Sequence, residues 1–199
     1  GFRIVMSSPL LRAMAILMFF GVGVGTLLYN EQATIAKQIV SDEARTAFYA
    51  NIDFWINAVT LFVQLFVAPI VLFRFGVKPL LLAPAVAITL GYCLLAAAPL
   101  PMLVAVVQIM TRAGEFSLSK PARETIYTRV DRETRYKAKA FIDTAIYRGG
   151  DLTFVWLHKF ISGFGSSVVF GIGILVALGM SFGAWKIGKQ QENLRVDNS

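Results

Sequence analysis

The sequence is short of almost everything that an enzyme site in water requires. One cysteine and one histidine occur in 199 residues. A lone thiol, Cys93, excludes an internal disulfide and cannot build a thiolate metal cluster. No HExxH, GxSxG or phosphate-loop pattern is present, so metal-dependent hydrolysis, serine hydrolysis and P-loop chemistry lack their parts; no enzymatic activity, metal or cofactor is expected. Charge is also scarce, at 16% of residues, where soluble domains carry about 25%. Acids are the rarer sign, with 12 Asp and Glu against 19 Lys and Arg and a formal net charge of +7.

What remains is apolar: 56% hydrophobic residues, 16 of them Phe, and a mean hydropathy of +0.64. This is the composition of an all-α protein that crosses a membrane several times. The basic excess lies in connectors between apolar runs, as the positive-inside rule produces, and no basic motif interleaved with aromatics accompanies it. Lipid is therefore the expected surrounding, and nucleic acid is not an expected partner.

A hydrocarbon core about 30 Å thick needs roughly 20 helical residues. Six runs meet that length, near 9–29, 51–73, 78–98, 101–118, 140–161 and 166–187, within one domain over 1–199. The first could be mistaken for a signal peptide, but five similar runs follow and no small-residue cleavage site precedes a polar region. The chain begins at Gly1, which raises the expectation of a piece of a longer protein. Residues 30–53 form an acidic connector, with Glu31, Asp42, Glu43 and Asp53 against Lys37 and Arg45. The connector at 73–79 holds Arg74 and Lys78 and no acid. Residues 119–139 are strongly basic, and the C-terminal stretch is mildly so. Together with Arg3 and Arg12, these place both termini in the cytoplasm.

Between Lys120 and Lys139 the run KPARETIYTRVDRETRYKAK holds seven basic and three acidic residues. Its caps are legible: Ser119 before a short helix, Asp131 before the fifth long one, and Glu133 to Lys137 at the favourable i, i+4 spacing. Ser41, followed by Asp42 and Glu43, predicts that the second long helix starts ahead of the bilayer. As a solvated connector the basic run only enforces topology; as a docking surface it would hold a partner or anionic lipid.

Charges inside apolar runs carry more meaning, because an ionisable side chain at the bilayer centre costs roughly 2.5–3.5 kcal/mol on insertion scales. Arg112 and Glu115 lie in the fourth run, and Arg148 and Asp151 in the fifth, each pair at i, i+3. Thr144, Arg148, Asp151 and His158 share one helical face with Val155. Cross-helix pairs Arg112–Asp151 and Glu115–Arg148 are expected. They serve either as a register-fixing network or as the lining of a substrate path. Imidazole suits proton coupling, but His158 falls near an outer helix end, where an amphipathic residue needs no special role. Asn57, Gln64 and Gln108 are expected to bond between helices. The glycines of GVGVG, 21–25, predict close helix packing rather than nucleotide binding, and Gly149–Gly150 admit a neighbour or a bend.

Six helices with both ends inside and a short basic connector between the second and third resemble half of a major-facilitator transporter, which is built of two three-helix inverted repeats. RFGVKP is similar to the basic end of that superfamily's DRxGRK signature through Arg74, Gly76 and Lys78, and departs from it at Phe73, where the acid should stand. A longer resemblance runs from Ser117 to Asp143. It is similar to a segment of the ATP/ADP translocase family, at Pro121, Arg123, Glu124 and Tyr127, then Asp131, Glu133, Arg135, Lys137, Lys139, Ala140, Ile142 and Asp143. The resemblance implies the C-terminal six-helix half of a carrier in a bacterial inner membrane. Its partners would be an N-terminal six-helix half, in the same chain or a second copy, and a small anionic solute, a nucleotide among them. A scaffold that transports nothing and docks a partner or anionic lipid is the competing reading.

Overall fold

The computed structural model describes residues 1–39 and 41–196, with side chains through residue 190. Its elements are helical: α1 (Phe2–Ser7), α2 (Pro9–Ala36), α3 (Asp42–Phe62), α4 (Ala68–Phe75), α5 (Val77–Ala97), α6 (Pro101–Gly114), α7 (Lys120–Tyr127), α8 (Arg132–Phe141), α9 (Tyr147–Ile161) and α10 (Ser166–Val196). Among the described residues four helical runs are long and apolar enough to cross a membrane: Pro9–Ala36, Asp42–Phe75, Val77–Ala97 and Ser166–Gln190. The fourth and fifth expected runs are helical too. Their α-helices, α6 and α9, are only 14 and 15 residues long, each adjoining a wider turn; Arg112 lies in α6, Glu115 in the turn after it, and Arg148 and Asp151 in α9.

Those wider turns are π-type, at Val63–Val67, Glu115–Ser119 and Ile142–Ile146. Two have a local cause. Ala68 N–H bonds back five residues to Val63, and Lys120 N–H to Glu115; each donor immediately precedes a proline, Pro69 and Pro121. A proline inside a helix removes one donor and its ring crowds the carbonyl four residues back, so a one-residue widening relieves both. The third precedes Gly149–Gly150, and the helix runs unbroken through those two glycines. Of the neighbour or bend expected there, the glycines admit a neighbour, with Phe19 against Gly150.

Several boundaries differ from expectation. Helix α2 continues past Tyr29 to Ala36, because Asn30 to Gln32 contain no helix breaker. The expected connector 30–53 shrinks to residues 37–41, of which Val40 lies outside the described residues. Ser41 does cap α3, its side chain accepting from Ala44 N at 3.1 Å. The basic connector before α5 reduces to Gly76, whose φ of +76° ends α4 and which only glycine adopts readily. Arg195, part of the mildly basic C-terminal stretch, lies outside the residues whose side chains are described.

Helix α2 is the axis of the bundle. One side packs against α10, which in turn packs against α5, and this seam is closed by glycine. A Cβ on Gly183 would stand 2.9 Å from the Leu17 Cα, and one on Gly173 would enter the Tyr92 ring. Fully buried Tyr92 donates from its hydroxyl to the Val24 carbonyl at 2.6 Å. Gly23 of the GVGVG run admits the Phe154 ring of α9, which is the close packing expected of that segment. The other side of α2 faces α6 and α9, and there the polar groups gather.

Candidate functional site

Two residues of α2, one turn apart, meet charged groups of α9 and α6. Thr26 Oγ1 donates to Asp151 Oδ1 of α9 at 2.6 Å. The Arg112 guanidinium of α6 lies over the Tyr29 ring, 5.9 Å from its centroid. Arg112, Arg148 and Asp151 are all exposed in this chain, as is Tyr29 at 55%. Arg148 has no ion-pair or hydrogen-bond partner among the described residues. The expected pairs Arg112–Asp151 and Glu115–Arg148 do not form, because α2 stands between α6 and α9. Glu115 turns instead to Arg123, with Oε1 and Nη1 2.7 Å apart. The π turn at Glu115–Ser119 supplies the register that brings these two residues of one helical run together.

The face expected along α9 is split. Thr144, Arg148, Asp151 and Val155 are exposed, while His158 turns inwards to α2. Gly150 is the packed member of its pair, with Phe19 against it, and Gly149 is open. Asn57 bonds to the Asp53 carbonyl of its own helix at 2.8 Å, and Gln64 is exposed. The buried Gln108 carbonyl has no partner, so none of the three makes the expected interhelical bond.

At the end of α7 a charged cluster joins the motif residues. Lys139 of α8 holds both oxygens of Glu124 of α7, at 2.7 and 2.8 Å, and its ammonium lies 5.6 Å from the Tyr127 ring centroid. Burial and the nearby Asp143 carboxylate push the Tyr127 phenol above its ordinary range. Lys137 pairs with Glu133 as its spacing requires, and Asp131 caps α8 through Thr134 N at 2.9 Å. That bond holds the Asp131 carboxyl below its usual range. Ser119, by contrast, is buried with an unpartnered hydroxyl and caps nothing. An open cleft of about 760 Å³ lies here, lined by Glu124, Tyr127, Arg132, Arg135 and Asp143 among others. Of the other motif residues, Arg74 is exposed at the end of α4, Pro121 opens α7, and the Lys78 stem packs on Gly188 of α10.

Glu31 went unrecognised in the sequence. It falls in the expected acidic connector, yet it is 1% exposed, with His158 Nε2 at 3.7 Å and the Ser166 hydroxyl at 3.3 Å. The uninterrupted helix signal from Tyr29 to Ala36 could have placed it inside. Its partners, more than a hundred residues away, could not be read from local pattern.

Helices throughout the described residues, four of them long and apolar enough to cross a membrane, are the build of a membrane protein. Comparison with curated proteins gives the particular likeness. The chain is 25% identical over 171 residues to ADP,ATP carrier protein 1 of Chlamydia trachomatis serovar D and equally so to that of Chlamydia muridarum. Each alignment covers 75% of this chain and 32% of the relative, so the chain spans about a third of the length of the carriers it matches. No protein-family model matches the chain. No solved structure matches it either. The distant likeness to carriers and the apolar helices together suggest a membrane transporter and agree with a protein that is not an enzyme.

Proposed function

We propose that this chain is the C-terminal six-helix half of a major-facilitator-like secondary carrier for an anionic metabolite or nucleotide. The observation that carries this reading is the face of α6, α2 and α9. Arg112, Arg148 and Asp151 lie on helices beside the apolar bundle, yet this chain leaves them exposed. Lipid does not accept such groups, which persist where they face protein or a water-filled path. A second six-helix unit, in the same protein or a second copy, would cover this face and enclose the path. Arg112 and Arg148 then gather the anion. Asp151, held by Thr26, offsets part of their charge when the path is empty. α6 and α9 cross the bilayer in this reading although their charges lower their hydropathy, both termini are cytoplasmic, and the membrane is a bacterial inner membrane.

Arg74, Gly76 and Lys78 at the α4–α5 corner, and the Glu115–Arg123 and Glu124–Lys139 pairs, brace the cytoplasmic side. Uptake of labelled ATP, ADP and inorganic phosphate into proteoliposomes holding the full protein tests the reading. Arg148→Ala and Asp151→Asn are each expected to cost on the order of tenfold in rate, equivalent to about 1.4 kcal/mol in the barrier. Wild-type uptake in both variants would remove these residues from the path.

A scaffold reading has one specific observation behind it. Arg132 and Arg135 line the cytoplasmic cleft with no ion-pair partner among the described residues, and such groups attract anionic lipid by about 1 kcal/mol each near a membrane surface. Uptake of none of the three solutes, with binding to anionic vesicles lost in Arg132→Ala/Arg135→Ala, would favour it.

A further inference from the structure

Glu31 is a buried carboxylate with no lysine or arginine beside it. Its two oxygens face Ser166, the first residue of α10, and the imidazole of His158 on α9. The other charged groups on the surrounding elements are engaged or distant. Asp151 is on Thr26, Arg112 over Tyr29, and Lys159 over Trp156. Arg45 is bonded to Asp42 and to the Ala36 and Ile39 carbonyls. Lys37 is exposed at the helix end. Arg3 of α1 and Asp143 lie towards the opposite end of α2, and α10 has no ionisable residue before Lys186.

Burying an unpaired carboxylate costs several kcal/mol, so the joint needs a countercharge. His158 is the one group placed to supply it. Its Nε2 is buried, has no hydrogen-bond partner, and lies 3.7 Å from Glu31 Oε1. That is ion-pair range rather than a hydrogen bond. The Ser166 hydroxyl donates to the other carboxylate oxygen at 3.3 Å from the N-terminal end of α10, so Glu31 has a donor on one oxygen and the imidazole beside the other.

We infer that Glu31, His158 and Ser166 form a proton-binding site in the joint of α2, α9 and α10. One proton arrives from water on Nε2 of His158 and leaves by the same route. With it the pocket is neutral, and the outer ends of the three helices are held together. Without it one uncompensated negative charge is left inside, and the joint is driven to open and hydrate. This goes beyond the carrier reading and does not depend on it; in a carrier, the site would take a proton as the coupled ion.

His158 is the only histidine in these 199 residues, and its signals in the full protein are identified as those lost in His158→Gln. The test is the ¹⁵N-imidazole NMR spectrum of the full protein in lipid bilayers at neutral pH. Both ring nitrogens should carry hydrogen in the wild type, and one should be bare in Glu31→Gln. The same spectrum in both proteins would overturn the site. Should Glu31→Gln not fold, infrared spectra of His158→Gln decide. A protonated-carboxyl band absent from the wild type should appear there, since Glu31 must then hold the proton itself; its absence, or its presence in the wild type, would overturn the site. Neither measurement involves transport, so the site and the carrier reading can fail separately.

Discussion

The two sides of α2 share one helix and differ in almost every physical respect. Towards α10 the contact is apolar and fitted to the width of a glycine, with the Leu17 backbone against Gly183 and the Phe20 ring against Gly179. Towards α6 and α9 the neighbours are a hydroxyl on a carboxylate, a guanidinium over a phenol, and a buried acid facing an imidazole. In lipid, helices gain little from hiding apolar surface from one another, so close van der Waals contact must hold the bundle together. The first side supplies that contact. The second can then carry groups whose contribution to stability is small or negative. The difference teaches that the charges on α6 and α9 are tolerated by the fold rather than required by it.

Breaking the fitted side should have the largest effect. Gly183→Ala sets a methyl against main-chain atoms that cannot swing away. We expect a loss of about 1–3 kcal/mol, as overpacking typically costs, seen as a lower midpoint of thermal unfolding in detergent. An unchanged midpoint would show that the seam is looser than the α6–α9 side and reverse the comparison. The adjacent glycines of α9 sharpen it. A Cβ on Gly149 meets nothing within 4 Å, whereas one on Gly150 meets Phe19 at 3.3 Å. Gly149→Ala should therefore gain about 0.5–1 kcal/mol from helix propensity, and Gly150→Ala should gain less or lose. Equal gains would mean that Phe19 yields freely.

The smallest effect lies outside the membrane. The Asp131 carboxyl is ionised more readily in the folded chain than in the unfolded one, so its contribution is present above the unfolded value and is lost as pH falls through the folded one. Amide exchange at the start of α8 should quicken over that acidic window, relative to intrinsic rates, and Asp131→Asn should abolish the pH dependence. A pH-independent wild type would remove the cap from the account.

Much of this fold could be read ahead of the structure, for identifiable reasons. Ser41 and Asp131 cap helices as their positions predict, and Glu133 meets Lys137, because these bonds lie within four residues. The apolar runs at 78–98 and 166–187 correspond closely to α5 and α10 up to Gln190, since a glycine and a turn bound them. The candidate site was less legible. Arg112 and Arg148 stood out by charge alone, but their partners depend on α2 lying between α6 and α9, which no local pattern encodes. Glu31 looks like the start of a connector until the continuing helix carries it against α9 and α10. Ser119 lost its capping role to a π turn whose cause, Pro121, was in view but whose register was not.

That turn has a genetic consequence. A π turn is an α-helix with one residue to spare, so deleting a single codon within 115–119 could restore regular winding without breaking the chain. Everything before it would then rotate by about 100° relative to everything after, the angle between neighbouring residues of a helix. Glu115 would lose Arg123, and the basic motif would meet the same bundle in a different phase. The spare residue works as a phase setting, and the length of this segment is under as strong a constraint as the identity of its charges.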